Sequence, residues 1–296
     1  MKIHTTKIAA IIIAYHPDLI NLKRNVQQII NSVDYLIIWR NSSDDLSILN
    51  ETSDNVIIWG DGTNQYIAHP LNVALDWCIS NKIDYLLTMD QDSTWKDCTS
   101  FLHYALSLKF DNVGIFAPRI NTIKSFYKGE YEDIETTITS GSLVNVKIAK
   151  KVGGFNEKYK IYWVDGEFCY KLRKNNYRII RLNNHELIHK LGNPTKTFLG
   201  FETSNYSTIV YYFLIRNMIW EHRQYGSSAV SYKCMLYTLF TNVRGIILGE
   251  KHKFQKLRKI TLAIYHGLSC TDIGRHITKQ LKVYLFYAQQ TQVLQS

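Results

Sequence analysis

Tyr85-Leu86-Leu87-Thr88-Met89-Asp90-Gln91-Asp92-Ser93-Thr94 decides the fold of this chain. An apolar run of strand length stops on two carboxylates one residue apart. A buried strand that ends in Asp-x-Asp delivers acidic side chains to the rim of a sheet, and ligands of open α/β sheets bind at that rim. Paired carboxylate oxygens are hard donors that suit Mg²⁺ or Mn²⁺, and such an ion suits a diphosphate. Asp92 is the expected direct ligand. Asp90 is expected to touch a ribose or bound water, with the metal as its other possible partner. The same pattern also fits an ordinary surface turn, because Asp is common where strands end, so the flanking sequence has to decide.

Upstream the chain alternates. Ile8–Ala14 reads as a buried strand, 17–30 carries apolar residues at helical spacing, and Tyr35–Trp39 reads as a second strand ending in Arg40-Asn41-Ser42-Ser43-Asp44-Asp45. Asn55–Trp59 is a third strand, followed by the turn signal Gly60-Asp61-Gly62-Thr63-Asn64. A helix is expected over 67–79, another over about 98–108, and a fifth strand over Val113–Ala117. Strands alternating with helices imply an α/β fold with a mostly parallel, covered sheet. Downstream the rhythm changes. The sequence predicts a short strand at Thr136–Ile138 leading into Thr139-Ser140-Gly141-Ser142, helices over 146–152 and 164–175, and a strand over Tyr177–Leu182. Three helices follow, roughly 207–225, 231–248 and 251–270, with a basic tail. The expected plan is a nucleotide-binding and catalytic domain over 1–205 and a helical, basic region over 206–296.

A chain of 296 residues with 46% apolar content can bury a sizeable core. Its formal net charge of +10 suits an anionic partner: nucleic acid, an acidic membrane surface or a phosphorylated substrate. From Arg244 onward Glu250 and Asp272 are the only carboxylates, so the excess belongs to the C-terminal region. There Lys251, Lys253, Lys256, Arg258 and Lys259 lie beside Leu257, Ile260, Leu262 and Ile264, which reads as a basic amphipathic helix for anionic lipid or as a solvated outer face. Five cysteines (78, 98, 169, 234 and 270) show no metal-ligand spacing and read as buried free thiols of a reducing compartment. Ile8–Ala14 is too short and too soon followed by His16-Pro17-Asp18 for a signal peptide. The apolar stretch 229–248 is interrupted by Lys233, Asn242 and Arg244, which argues against a membrane span.

Three more constellations bear on chemistry. In Trp163-Val164-Asp165-Gly166-Glu167-Phe168-Cys169 two carboxylates bracket a glycine at a helix start. The helix dipole favours acids there, and a positioned carboxylate also makes a general base for an attacking hydroxyl. Trp163 offers a flat apolar face for a sugar ring. His189, before Gly192, is either a structural histidine or the imidazole that completes a carboxylate-bound metal site. Asn41-Ser42-Ser43 and the segment 64–72 follow two successive strands, as caps and turns or as groups that read a base and ribose.

Taken in order, these pieces resemble glycosyltransferase family 2, the inverting enzymes of GT-A fold, and within it the bacterial rhamnosyltransferase-like branch. The resemblance runs over about residues 7–225 through Ile11-Ile12-Ile13-Ala14-Tyr15-His16-Pro17, Asn41-Ser42-Ser43, the segment 64–72, Leu87-Thr88-Met89-Asp90-Gln91-Asp92-Ser93, Thr139-Ser140-Gly141-Ser142, Val152-Gly153-Gly154-Phe155-Asn156-Glu157, Val164-Asp165-Gly166-Glu167-Phe168-Cys169, His189-Lys190-Leu191-Gly192 and Tyr211-Tyr212 to Arg216-Asn217. It implies a GT-A fold, Rossmann-like with flanking helices, and a C-terminal helical extension. It implies Asp165 as catalytic base, Asp92 and His189 (with Asp90 as a possible third) as metal ligands for Mg²⁺ or Mn²⁺, and Ala14, Tyr15, Asn41, Asn72, Asp90, Gln91 and Asp92 around a nucleotide-sugar donor. Trp163, Glu167, Ser140 and Gly141 fall around the acceptor. The implied reaction is inverting transfer of L-rhamnose from dTDP-rhamnose to a lipid-linked saccharide in bacterial surface polysaccharide (O-antigen or capsule) synthesis. The implied location is the cytoplasm, peripheral at the inner face of the plasma membrane.

Departures bear on the donor. Arg40 stands where the family commonly has Asp, and a guanidinium cannot accept the imide N–H of uracil or thymine. Tyr66 stands where glycine is usual and His16 where Asn is. A UDP-sugar donor (galactosyl, glucosyl or galactofuranosyl transfer) is the alternative. Two rivals are weaker. Asp90-Gln91-Asp92-Ser93-Thr94 also fits haloacid-dehalogenase-like phosphatases, but the loop at 60–64 would then precede the nucleophile strand instead of following it. Net charge alone permits a nucleic-acid-binding protein, yet no recognition helix or stacking motif accompanies it.

Overall fold

A computed structural model describes residues 6–49, 53, 55–121, 129–189, 195–197, 199–226 and 230–269. The chain divides into two compact units, Met1–Pro194 and Thr195–Ser296.

The first unit runs β1 (Ile8–Ala14), α1 (Leu19–Ile29), β2 (Tyr35–Arg40), β3 (Val56–Trp59), α2 (Ala68–Ser80), β4 (Tyr85–Asp90), β5 (Thr94–Trp95), α3 (Cys98–Ser107), β6 (Val113–Ile120), β7 (Tyr131–Asp133), β8 (Ser142–Asn145), α4 (Val146–Lys151), α5 (Val164–Lys174) and β9 (Arg178–Ile188). The strands form one mixed, mostly parallel sheet in the order β3-β2-β1-β4-β8-β6-β9-β5, with β7 paired to β9. β1 to β4 are mutually parallel, and the buried apolar runs of β1, β2 and β4 suit strands covered on both faces. Side-chain caps start the helices: Asp18 accepts from the N–H groups of Ile20 and Asn21, Asp97 from Ser100, and Asn145 from Ile148. The core lies between this sheet and its helices, where Ile12 and Leu87 meet Leu22, Val26, Phe101 and Leu102. Each such side chain contributes about 1.5–3 kcal/mol on burial.

Two expectations are corrected. Thr136–Ile138 is not a strand: the Thr139 carbonyl accepts from the Thr88 hydroxyl and the Ile138 carbonyl from the Ser142 hydroxyl, so side chains, not a ladder, satisfy this backbone. The strand is β8, antiparallel between β4 and β6. β9 does not stop at Leu182 but runs to Ile188, because its polar residues find partners. Glu186 pairs with Arg119 at 2.8 Å and with Lys96, past an irregularity in the β6–β9 register.

The second unit holds a hairpin, β10 (Thr195–Lys196) with β11 (Glu202–Thr203), and helices α6 (Thr208–Tyr225), α7 (Tyr232–Gly249) and α8 (Lys253–Ser269). The Glu250 carboxylate is buried and accepts from Lys256 Nζ (2.6 Å), the Tyr211 hydroxyl (2.6 Å), the Asn205 N–H (3.1 Å) and the Thr203 hydroxyl. One face of α8 is taken up by the fold: Lys256, Ile260 and Ala263 are buried and pack against α6, while Phe254, Arg258, Leu262 and Tyr265 stand exposed on the other.

Cys78, Cys98 and Cys169 are buried free thiols, each pushed up to about 12 by burial, whereas Cys234 is exposed. Cys270 lies outside the described residues. Among the described residues no helix is long and apolar enough to cross a membrane.

Candidate active site

β1 and β4 run side by side with Ile13 level with Asp90, so both end at the same rim. Gln91, between the two aspartates, ties these ends together. Its carboxamide accepts from the Tyr15 N–H (2.7 Å) and donates to the Tyr15 carbonyl (3.0 Å). Asn25 of α1 holds the turn from below, donating to the Gln91 carbonyl at 2.8 Å and accepting from the Thr94 hydroxyl at 3.0 Å. The turn then enters β5, which pairs antiparallel with the end of β9 (Thr94 with Ile188, Trp95 with Leu187). That pairing sets His189 beside the aspartates.

Ligand atoms of Asp90, Asp92 and His189 all lie within 4.8 Å of one another, and His189 Nδ1 is 3.9 Å from Asp90. A chain of hydrogen bonds fixes the imidazole. The Asp90 N–H donates to Ser140 Oγ (3.1 Å), Ser140 Oγ donates to Ser93 Oγ (2.8 Å), and Ser93 Oγ lies 2.8 Å from His189 Nδ1. The His189 N–H donates to Asn121 Oδ1 at 2.8 Å. The Asp90 carboxyl is pushed up to about 7, by burial first, then by the charges of Asp92 and Asp165. It keeps 38% of its side-chain surface. That exposure lets water screen the charge in part, so the crowding by Asp92 and Asp165 is the cause that the geometry makes plain. Two carboxylates and an imidazole, with one carboxylate destabilised by its anionic neighbours, are a donor set that fits a divalent cation.

Asp165 sits in the first turn of α5, where its carboxylate accepts from the Gly166 N–H at 2.9 Å. Burial raises its pKa. Asp165, Thr88, Thr139 and Phe168 line a space of about 10 Å³, too small for a ligand, which accounts for the desolvation on that side. The chain reaches Asp165 through three left-handed residues, Lys160, Tyr162 and Trp163, at φ 65°, 62° and 62°. Strain of this kind persists only where surrounding structure imposes it, and it clusters at functional sites. Gly166 is required by packing, since a Cβ there lies 3.1 Å from the half-buried Trp163 ring.

Several expected ligands have structural work instead. Glu167 is 1% exposed and paired with Lys171 at 3.1 Å, so it faces the interior and not an acceptor. Ser140 and Gly141 are buried, which removes the Gly141 surface from reach and makes Ser140 a support for His189. Asn41 is buried and spends its amide on Asn64, Gln65 and Tyr66, shaping the loop after β3. Asn72 exchanges hydrogen bonds with Phe155 and reaches Glu157, clamping the Gly153-Gly154 turn. Ala14 is buried at the end of β1, where its carbonyl accepts from the Asn41 N–H. Tyr15 is exposed at the rim. Tyr66 has φ 61°, a conformation that favours glycine. Sequence reasoning missed Asn25, Ser93 and Asn121 as supports. Ser93 had a signal, its place next to Asp92; Asn25 and Asn121 had none.

The class that the sheet and its flanking helices define is the GT-A fold. No protein-family model matches the chain. "dTDP-rhamnosyl transferase RfbF" of Shigella flexneri is 24% identical over 299 residues, covering 92% of this chain and 99% of that protein. Among solved structures, S. aureus TarS 1–349 in complex with UDP-GlcNAc superposes with a TM-score of 0.56 at 15% identity, over 87% of this chain and 79% of that one. The mannosyltransferase PcManGT of Pyrobaculum calidifontis, in complex with GDP-Man and Mn²⁺, gives 0.54 at 11% identity, over 98% and 83%. These likenesses carry the fold.

Proposed function

We propose that this chain is an inverting, metal-dependent rhamnosyltransferase that moves L-rhamnose from dTDP-rhamnose to a lipid-linked saccharide in surface polysaccharide synthesis. The convergence of Asp90, Asp92 and His189 at one rim, with Asp165 close enough for its charge to act on Asp90, carries the reading. Kinship with a protein named as a dTDP-rhamnosyl transferase supports the sugar. Asp92 and His189 would hold Mg²⁺ or Mn²⁺, with Asp90 beside them. Bound there, the cation would neutralise charge that builds on the leaving nucleoside diphosphate. Tyr15 and Gln91 form the floor on which the donor rests. Asp165 takes the proton of the acceptor hydroxyl as that oxygen attacks the anomeric carbon from the face opposite the phosphate. The glycosidic bond forms as the bond to phosphate breaks, and the anomeric configuration inverts. Desolvation raises the basicity of the Asp165 carboxylate toward the working pH, which a general base needs. Trp163, beside Asp165, offers its ring face to the acceptor sugar. A lipid-linked acceptor brings the enzyme to the inner face of the plasma membrane as a peripheral protein.

The test is Asp165→Asn. The expected result is a roughly 10²- to 10⁴-fold loss of turnover with donor affinity retained. Unchanged turnover removes Asp165 from the role of base. A UDP-sugar is the second reading, supported by the likeness to the TarS structure in complex with UDP-GlcNAc.

A further inference from the structure

α7 is exposed along one side in a way a solvated helix is not. Tyr232, Leu236, Tyr237, Phe240 and Ile247 recur at helical spacing on a single face, and Leu236, Tyr237 and Phe240 are 65%, 70% and 64% exposed. The opposite side of the helix holds the buried Gly245 and Ile246. Lys233 and Arg244 stand exposed within the same stripe, and the Arg244 guanidinium lies 4.4 Å from the centre of the Phe201 ring and 5.8 Å from that of Phe240. No carboxylate occurs anywhere in α7.

We infer that this face of α7 is a docking surface for an anionic lipid membrane, the helix lying in the interface with its aromatic and aliphatic side chains among the acyl chains. Contiguous apolar exposure of this extent marks an interaction site. Charge selects the occupant. Residues 195–296 carry thirteen Lys and Arg against four Asp and Glu, which is +9 of the chain's +10. A second copy of the chain brings the same positive field to the contact and is repelled. The segment 270–296 is itself net basic, with Arg275, Lys279 and Lys282 against Asp272, so the positive charge of this face does not attract it. An anionic bilayer matches both features, because apolar area and Lys/Arg attraction act together at such interfaces. α7 carries two charges and several hydroxyl and amide groups, so it lies on a bilayer and does not cross it. The inference deepens the membrane-bound acceptor proposed above and adds α7 to the outer face of α8, where Phe254, Leu262, Tyr265 and Leu268 stay exposed.

Vesicle flotation of the full chain tests it, with vesicles of phosphatidylcholine alone and with phosphatidylglycerol added, at low and high salt. Wild type is expected to float with the phosphatidylglycerol vesicles at low salt and to release substantially at high salt. Leu236→Ser with Phe240→Ser, and separately Lys233→Glu with Arg244→Glu, each weaken binding roughly tenfold or more. All four positions are exposed, so the fold survives, and circular dichroism verifies it. Wild-type chain that fails to float at either salt, or variants that float as wild type does, overturn the inference. So does a concentration-dependent dimer that Phe240→Ser dissolves, because the face is then a contact between copies. Thermal shift with dTDP-rhamnose and Mn²⁺, run on the same samples, separates the two ideas. Flotation without donor binding leaves the surface standing and removes the donor assignment; donor binding without flotation does the reverse.

Discussion

Asp90 carries the sharpest residue-scale consequence. Its folded pKa, about 7, lies above the 3.8 of a free carboxyl. A group raised on folding lends its stability below the unfolded value and loses it as pH climbs through the folded one. Without a divalent cation, the melting temperature should therefore decline between about pH 4 and about pH 7 through this group. A cation must displace the proton, so Mn²⁺ should raise the melting temperature more at about pH 8 than at about pH 5.5. Differential scanning fluorimetry with Mn²⁺ or chelator checks both statements. An equal gain at the two pH values rejects Asp90 as a member of the cation site, and Asp90→Asn should flatten the pH dependence. The carboxylates themselves were legible in the sequence. Their inequality was not, because it comes from the cleft around Asp90 and from Asp165, which is remote in the chain.

At the scale of elements, the two parts that aim the site are the β5–β9 pair and the first turns of α5. Trp95 is buried, pairs opposite Leu187 and donates to the Met89 sulfur. Trp95→Ala should cost about 3–5 kcal/mol, measured by urea unfolding. It should also loosen His189, two residues beyond Leu187 on the paired strand, and so weaken Mn²⁺ binding in calorimetry. Full Mn²⁺ affinity in that variant argues that β5 does not position the imidazole. In α5, Lys171→Met leaves the Glu167 carboxylate buried without its cation and should destabilise by about 3–5 kcal/mol. Adding Glu167→Gln to it should restore much of that loss without touching chemistry. β1 to β4 were readable as elements because an apolar run bounded by turn residues has few other uses. β8 and the far half of β9 were not, because β8 pairs only with the sequence-remote β4 and β6, and Asn183 and Glu186 find side-chain partners far off in sequence, at the Gly129 carbonyl and Arg119.

At the scale of the whole molecule, the chain offers a donor cleft in one unit and most of its positive charge in the other. A ligand that binds only the folded state stabilises it, by about 2.7 kcal/mol at a hundredfold excess over Kd. With Mn²⁺ present, dTDP-rhamnose should raise the melting temperature more than UDP-glucose, UDP-galactose or UDP-galactofuranose. A larger shift with a UDP-sugar selects the second reading. Asp92→Ala should abolish the cation-dependent part of the shift.

The amino-acid sequence by itself determined β1 to β4 and the helices, the carboxylate pair at the end of β4, the acid at the start of α5 and the lopsided charge. These are local: periodicity, capping residues and the abrupt end of an apolar run specify them over a few neighbouring positions. Only the tertiary structure decided that Glu167, Asn41 and Asn72 brace the fold, that Ser93 and Ser140 hold the imidazole, and that one face of α8 packs on α6 while α7 shows an apolar stripe. A polar side chain has the same identity whether it meets a ligand or a buried carbonyl, and which of the two it meets depends on segments far away in sequence that folding sets against it.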